Sequence, residues 1–193
     1  EGGEGGEEGG DQGGVAVGAL VEVSRREVVA EITEHHTRMD RPEPRVELAF
    51  AVPKGKRLDW LLEKATELGV ASLQPVIFER SVAGGESLAE SKRQRWETHC
   101  IAAAKQCRTL FLPELHDPVP LGAYLAAQEH KYCLVGDVST ESKSIFCALQ
   151  AWQPGESVGI IVGPEGDFSA EEWKQLLASG VQGVHLGHTV LRV

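Results

Sequence analysis

The chain has 193 residues, of which 41% are hydrophobic and 25% charged, and its formal net charge is −10. These values are typical of a globular protein with one core, and the length leaves room for a small appendage. The sequence has no apolar run near the ~20 residues of a membrane span, and no signal-peptide pattern. Its four cysteines form no CxxC pair, which favours reduced thiols and a cytoplasmic location.

Half of the net charge of −10 comes from the amino-terminal residues. Residues 1–14 contain five acids and no base, and this low-complexity, glycine-rich composition predicts a disordered tail. The rest of the chain is less acidic, and its bases are grouped. Three groups are found: Lys54, Lys56 and Arg57; Lys92, Arg93 and Arg95; Lys105 and Arg108. They indicate either a basic face for nucleic acid or ordinary solvated helix faces.

Residues 15–45 predict a small β module followed by a linker. Residues 15–33 alternate loosely and are rich in valine, which indicates two short strands turning near Ser24–Glu27. Two strands do not make an independent domain, so they are interpreted as part of a β module. Residues 35–45 contain two prolines and many charges, which is typical of a linker.

Residues 46–193 predict an α/β domain with a mainly parallel sheet. Strand patterns such as "RVELAFAV" and "SVGIIVG" alternate with helix patterns such as "RLDWLLEKATELG" and "SAEEWKQLLASG". Leu58, Leu61, Leu62, Ala65 and Leu68 share a helical stripe that ends at Gly69. Pro75 indicates an edge or bulge in its strand.

Three predicted strands end at glycine: Gly136, Gly163 and Gly187. Glycine at a strand tip allows a close approach of the backbone to a ligand and a positive φ, and ligands bind beyond the carboxyl ends of parallel strands. Ser169 and Glu172 form a capping-box pattern for the helix that follows Gly163. Neither the Walker pattern nor GxGxxG is present, so the turn indicates either a site for a ligand without phosphates or only a tight strand–helix turn.

Five motifs then occur in order: "KGKRLDWLLEKATELGV", "ERSV", "AAAKQCR", "VGPEGDFSAEE" and "LGHTVLR". Over residues 46–193 they resemble the bacterial and organellar 16S ribosomal RNA (uracil-N3)-methyltransferase family of the SPOUT superfamily. The resemblance implies a C-terminal trefoil knot, a homodimer, and S-adenosylmethionine (SAM) as methyl donor. It also implies that the strands at 15–33 are part of a PUA-like β module, and that a eukaryotic member would work in an organellar matrix or stroma.

By this resemblance, three loops hold SAM: the one after Val135, Gly163–Gly166, and Leu186–Leu191. The implied cofactor-binding residues are Leu134, Val135, Gly136, Val162, Gly163, Pro164, Glu165, Gly166, Leu186, Gly187, Val190, Leu191 and Arg192. The implied contacts with small-subunit ribosomal RNA are Lys54, Lys56, Arg57, Arg80 and Arg108. Arg80 and Arg108 each have an alternative, purely structural interpretation.

The sequence departs from the family pattern at three places. Asp167 stands where the family usually has a further glycine, and Lys105 where it usually has a glutamate. After the last motif the family usually continues Thr-Glu-Thr-Ala into a helix that completes the knot, whereas Val193 follows Arg192 here. We therefore expect the knot-closing helix to be missing from these 193 residues.

Arg192 and Glu165 are the candidate catalytic residues. Uracil N3 is protonated at neutral pH, so a cationic donor near the uracil oxygens would stabilise the anion, and Arg192 is the candidate for it. The alternative role of Arg192 is an ion pair at the surface or in a dimer interface. Glu165 is either a base or a residue that orients the turn. The alternative function is a non-catalytic SPOUT-fold module for RNA binding or ribosome assembly.

No metal site is predicted. His35 and His36, and His185 and His188, form two pairs without further ligands nearby in sequence. Cys100 and Cys107 are expected to be buried apolar residues on one helix face. The four tryptophans are expected in the core or in a dimer interface: Trp60, Trp96, Trp152 and Trp173.

Overall fold

The computed structural model describes residues 12–81, 89–139 and 142–187. Its first part is an antiparallel hairpin of β1 (Gln12–Val23) and β2 (Val28–Asp40). The turn is closed by Ser24, whose Oγ accepts a hydrogen bond from the Glu27 amide at 3.0 Å. The predicted turn position is confirmed, but the predicted linker is wrong over residues 35–40, because pairing with β1 keeps those residues in β2.

The rest of the described chain forms a parallel sheet. Its strand order is β5-β4-β3-β9-β7-β10-β8, β6 also pairs with β4, and every pairing in it is parallel. The strands are β3 (Val46–Phe50), β4 (Ser72–Ile77), β5 (Glu114–Leu115), β6 (Val119–Pro120), β7 (Tyr132–Gly136), β8 (Lys143–Ser144), β9 (Val158–Val162) and β10 (Gln182–His185). The predicted α/β class with a mainly parallel sheet is confirmed.

Within the described residues, five helices accompany the strands: α1 (Lys56–Glu67), α2 (Glu90–Cys107), α3 (Leu121–Ala127), α4 (Ile145–Ala148) and α5 (Ala170–Ala178). Gly69 follows the end of α1 with φ 78°, as the sequence predicts for a C-terminal cap. Leu58, Leu62 and Ala65 of the predicted stripe are buried, but Leu68 is 84% exposed, because it is the cap residue at which the helix ends.

The helices cover both faces of the sheet. Leu48 and Phe50 of β3 pack with α1 and α2 on one face, where Leu62 and Trp96 are fully buried. Ala49 and Ala51 point to the other face and pack with α3 and α5. Because successive strand residues alternate between faces, a strand buried on both sides is apolar throughout. This explains the uninterrupted apolar pattern of β9.

Two other predictions have mixed outcomes. Pro75 lies where the outer ladder of β4 changes partner, since β5 pairs with Ser72 and Leu73 and β6 pairs with Val76 and Ile77. The predicted edge or bulge is therefore wrong, because β4 has partners on both sides and pairs with β3 in unbroken register through Pro75. Cys100 is buried, but the prediction for Cys107 is wrong: it is exposed in the last turn of α2.

Candidate functional site

The carboxyl ends of β9, β7 and β10 lie next to one another at one end of the sheet. The three strands are consecutive in the strand order and parallel, so Gly163, Gly136 and Leu186–Gly187 lie beyond neighbouring strand tips. The Asp137 amide donates to the Val184 carbonyl oxygen at 2.9 Å and so joins the tips of β7 and β10. The structure therefore brings the three glycine-bearing ends together, in the place where parallel sheets bind ligands.

The segment from Gly163 to Asp167, called the ligand turn below, is held by its own hydrogen bonds. The Asp167 amide donates to the Pro164 carbonyl oxygen at 3.0 Å, and Asp167 Oδ1 accepts from the Phe168 amide at 2.8 Å. The left-handed residue is Asp167, with φ 62°, and neither Gly163 nor Gly166 has a positive φ. The expectation of positive φ at these glycines is therefore wrong, and a short polar side chain that tolerates that region takes the role.

Gly163 is required by packing. A Cβ at this position would lie 2.6 Å from the Phe168 ring, which is closer than real Cβ contacts allow. Phe168 is fixed in turn by Phe78, at 5.4 Å between ring centroids, and by stacking on Trp173. These packed rings thus hold Phe168 against the ligand turn, which leaves space only for glycine at position 163.

Helix α5 begins directly after the turn with the predicted capping box. The Ser169 amide donates to Glu172 Oε2 at 2.7 Å, and the Glu172 amide donates to Ser169 Oγ at 3.3 Å. Both residues are buried. The cap fixes the direction in which the chain leaves the turn.

Two of the residues that were predicted to contact RNA instead bind the ligand turn. Arg57, in the first turn of α1, forms an ion pair with Glu165. Arg80, just after β4, donates from Nη1 to the Gly166 carbonyl oxygen at 2.7 Å. Both arginines are exposed, and both reach the turn from other strand–helix connections.

The other three predicted RNA contacts lie elsewhere. Arg108 is the cap residue of α2, exposed and left-handed with φ 61°, which gives it a structural role in ending the helix. Lys54 lies between β3 and α1, and Lys56 is the first residue of α1; both are exposed. Of the second basic group, Arg95 pairs with Asp59 and Arg93 with Asp117.

The predicted cofactor residues differ in what they can present. Leu134 and Val135 are fully buried, on opposite faces of the sheet, so β7 offers only Gly136 at its exposed tip. Val162 is partly buried and Pro164 is buried, whereas Glu165, Gly166, Leu186 and Gly187 are exposed. Val190, Leu191 and Arg192 lie outside the described residues.

Three residues near the site were not assigned to it from the sequence: Phe168, Glu172 as a contact of the chain after β4, and His185. His185 ends β10, and its buried Nδ1 has no hydrogen-bond partner within the described ranges. Its place in a predicted strand, two residues before the glycine at which that strand was expected to end, was the available signal. Glu172 Oε1 accepts a hydrogen bond from the Glu79 amide, 93 residues away, which no local pattern predicts.

A second polar cluster lies at the opposite end of the sheet, where β3 begins. Glu47 Oε1 accepts from the Tyr124 hydroxyl at 2.9 Å and lies 2.9 Å from His130 Nε2, and Glu47 Oε2 accepts from Ser72 Oγ at 3.1 Å. Burial alone raises the pKa of Glu47, but these hydrogen bonds and the charge of His130 outweigh it and lower the pKa overall. Burial, with Glu47 beside it, raises the pKa of Tyr124.

The described part of the chain does not offer a metal site. Among residues 12–81, 89–139 and 142–187, no three His, Cys, Asp or Glu side chains are grouped so that they could hold a metal ion. A cavity of about 250 Å³ lies before β3 and β9 and is lined by Glu43, Arg45, Gly155, Glu156 and Ser157. It is therefore at the end of the sheet opposite the glycine-bearing tips.

None of the described helices has the length and apolar content that crossing a membrane requires.

The fold and the site together define an α/β protein with a candidate ligand site at the carboxyl ends of a parallel sheet. Residues 41–193 match the family model of an RNA methyltransferase domain. The chain belongs to this RNA methyltransferase family.

Similar proteins are found both by sequence and by structure. Ribosomal RNA small subunit methyltransferase E of Bacillus subtilis is 31% identical over 180 residues, covering 90% of this chain and 70% of the relative. The Synechocystis protein of that name is 28% identical over 149 residues, and the match spans 48% of its length. The chain thus spans about half of one such relative and about 70% of another.

Among solved structures, a ribosomal RNA small subunit methyltransferase E from Neisseria gonorrhoeae bound to SAM has a TM-score of 0.80 and 26% identity. The similarity covers 93% of this chain and 73% of that one. A methyltransferase from Legionella pneumophila in complex with SAM has a TM-score of 0.77 and 27% identity, with 95% and 77% covered.

Proposed function

We propose that this chain is a SAM-dependent methyltransferase that methylates N3 of a uridine in small-subunit (16S-type) ribosomal RNA. The observation that carries the proposal is the meeting of three glycine-bearing tips, of β9, β7 and β10, at one edge of the sheet. The family membership and the SAM-bound relatives support the same ligand.

The residues of the ligand turn fit SAM better than a nucleotide phosphate. Glu165 and Asp167 would repel phosphates, whereas SAM carries a sulfonium cation and no phosphate. The exposed backbone at Gly136, Gly166 and Gly187 provides neutral hydrogen-bonding groups that the ligand can approach closely. We place the SAM site at these three loops, with Leu186–Leu191 as the third.

SAM supplies an electrophilic methyl group when it is bound. The protein must remove or share the N3 proton of uracil and stabilise the charge that develops on the uracil oxygens. Arg192 is proposed to donate to those oxygens. Glu165 is proposed to orient the turn and not to take the proton, because its carboxylate is engaged by Arg57.

The remaining expectations join this proposal. The resemblance supports a C-terminal trefoil knot, a homodimer, a cytoplasmic or organellar location, and a PUA-like module that includes the β1–β2 hairpin. The strand order supports the knot, since β10 lies beyond β7 and not beside β9, which precedes it in the chain. Lys54 and Lys56, which are exposed and for which no contact with the ligand turn is found among the described residues, are the proposed RNA contacts.

Calorimetric titration with SAM, its demethylated product, ATP and NAD tests the ligand. We expect SAM and its product to bind, and tighter binding of ATP would overturn the proposal. Transfer is tested with methyl-labelled SAM and small ribosomal subunits, followed by digestion of the RNA to nucleosides. Label in 3-methyluridine is expected. SAM binding without transfer to any small-subunit acceptor would favour the non-catalytic RNA-binding module.

A further inference from the structure

The four residues after β4, Phe78–Ser81, form a compact turn that we call the β4 tail. It is closed by two hydrogen bonds: the Ser81 amide donates to the Phe78 carbonyl oxygen at 3.0 Å, and the Phe78 amide donates to Ser81 Oγ at 2.9 Å. In the sheet, β3 lies between β4 and β9. The β4 tail nevertheless reaches across the end of β3 to the turn that follows β9.

Three contacts join the β4 tail to the ligand turn and the start of α5. Arg80 Nη1 donates to the Gly166 carbonyl oxygen at 2.7 Å, and the Glu79 amide donates to Glu172 Oε1 at 2.6 Å. The Phe78 ring meets the edge of Phe168, the residue that excludes a side chain at Gly163. The tail therefore contacts this part of the chain at Gly166, at Phe168 and in the first turn of α5.

Glu172 gives this connection its rigidity. Its buried carboxylate accepts the Ser169 amide through Oε2 and the Glu79 amide through Oε1, so one side chain caps α5 and anchors the β4 tail. Both bonds are charge-assisted and shielded from water, which makes them stronger than neutral surface bonds. The position of the Arg80 backbone relative to Gly166 is thus fixed before any ligand binds.

We propose that Arg80 is a positioning residue of the donor site and not a contact with RNA phosphate. By fixing the Gly166 carbonyl, it holds the backbone of the ligand turn in the geometry that binds SAM, and so lowers the cost of ordering that turn on binding. The inference rests on the proposed function, because it assumes that the ligand turn binds SAM. It gives a residue of the "ERSV" motif a role that the sequence alone assigned to RNA.

The test compares Arg80→Ala and Arg80→Lys with the matched control Lys174→Ala, which removes an exposed cation from α5 without touching the ligand turn. SAM affinity is measured by calorimetry without RNA, and RNA affinity is measured separately without SAM. Arg80→Ala is expected to weaken SAM binding about tenfold, the size of one hydrogen bond from a charged donor. Arg80→Lys should recover part of the loss, and RNA affinity should stay within twofold of wild type.

A phosphate contact gives the opposite result. Unchanged SAM affinity in Arg80→Ala, together with a clear loss of RNA affinity and a smaller salt dependence of RNA binding, would overturn the inference.

A further readout separates this inference from the proposed function. Amide hydrogen exchange at Asp167 and Phe168 in the ligand-free protein should be faster in Arg80→Ala than in wild type or Lys174→Ala, whichever ligand the turn binds. Unchanged exchange at both amides would overturn the positioning role. Failure of wild-type protein to bind SAM would instead overturn the proposed function and leave the exchange result standing.

Discussion

Arg57 and Glu165 form an ion pair that joins the first turn of α1 to the ligand turn. They are 108 residues apart in the chain. Side chains of both residues are about half exposed, at 53% and 49%, so the pair stabilises the fold little by itself. Its consequence is local, because it determines where the Glu165 carboxylate points.

The first prediction tests this pair by a double-mutant cycle of Arg57→Ala and Glu165→Gln. The coupling in the free energy of unfolding should be about 0.2–1 kcal/mol and should weaken at high salt. If Glu165 only orients the turn through Arg57, both single variants should reduce methyl transfer similarly, and the double variant no further. A loss in Glu165→Gln alone of more than about a hundredfold would instead indicate that Glu165 is the base.

The second prediction separates two kinds of glycine at the strand tips. A Cβ at Gly136 meets no atom within 4 Å, whereas a Cβ at Gly163 collides with Phe168. Gly136→Ala should leave thermal stability nearly unchanged but weaken SAM binding, since only the ligand would be displaced. Gly163→Val should lower both the thermal stability and the SAM affinity. Gly122→Ala in α3 is the control, expected to bind SAM as wild type does, and normal SAM affinity in Gly136→Ala would remove the β7 tip from the site.

The third prediction concerns Arg192. Arg192→Ala should slow single-turnover methyl transfer about 10²–10³-fold, corresponding to roughly 3–4 kcal/mol for one preorganised donor, with a much smaller effect on SAM affinity. Arg192→Lys should restore transfer only in part, because an ammonium group lacks the planar fork. A change in rate within about threefold, or ~0.7 kcal/mol, would exclude a catalytic role, and a parallel loss of SAM affinity would assign Arg192 to the donor pocket.

The fourth prediction is the pH dependence of stability at Glu47. Its pKa is lowered in the folded protein, so its contribution is present above the pKa of the unfolded chain and is lost as the pH falls through the folded pKa. Glu47→Gln should cost about 1–3 kcal/mol near neutral pH and less below pH 4. Urea unfolding across pH 3 to 7 checks it, and a cost independent of pH would contradict the assigned ionisation.

The fifth prediction concerns the thiols. Cys107 and Cys147 are exposed, whereas Cys100 and Cys133 are buried, and burial raises the pKa of Cys133 to about 11. A thiol reagent at pH 8 should modify two cysteines quickly in the native protein and all four in denaturant. Peptide mapping of the fast pair as Cys107 and Cys147 is expected, and rapid labelling of Cys133 would contradict its burial.

The sequence predicted what is local in the site and missed what is distant. The strand tip at Gly163 and the Ser169–Glu172 cap follow from residues within ten positions of each other. The contacts of Arg57, Arg80 and Glu172 join residues 86 to 108 positions apart, and only the order of the strands brings them together. Gly163 was singled out for a close approach to a ligand and for a positive φ. The packing that requires glycine there was missed, because the Phe168 ring against it is not visible in a one-dimensional pattern.

The strand order also constrains when the sheet can be completed. Strand β9 must pair with β3, 112 residues earlier by the partners Val46 and Val158, and β10 must enter between β7 and β8 after both have been made. Such distant pairings make folding slow compared with helical proteins. During synthesis, the candidate ligand site would be assembled only after β10 has been released, so a partly made chain would hold an open edge at β7 and could not bind its ligand prematurely.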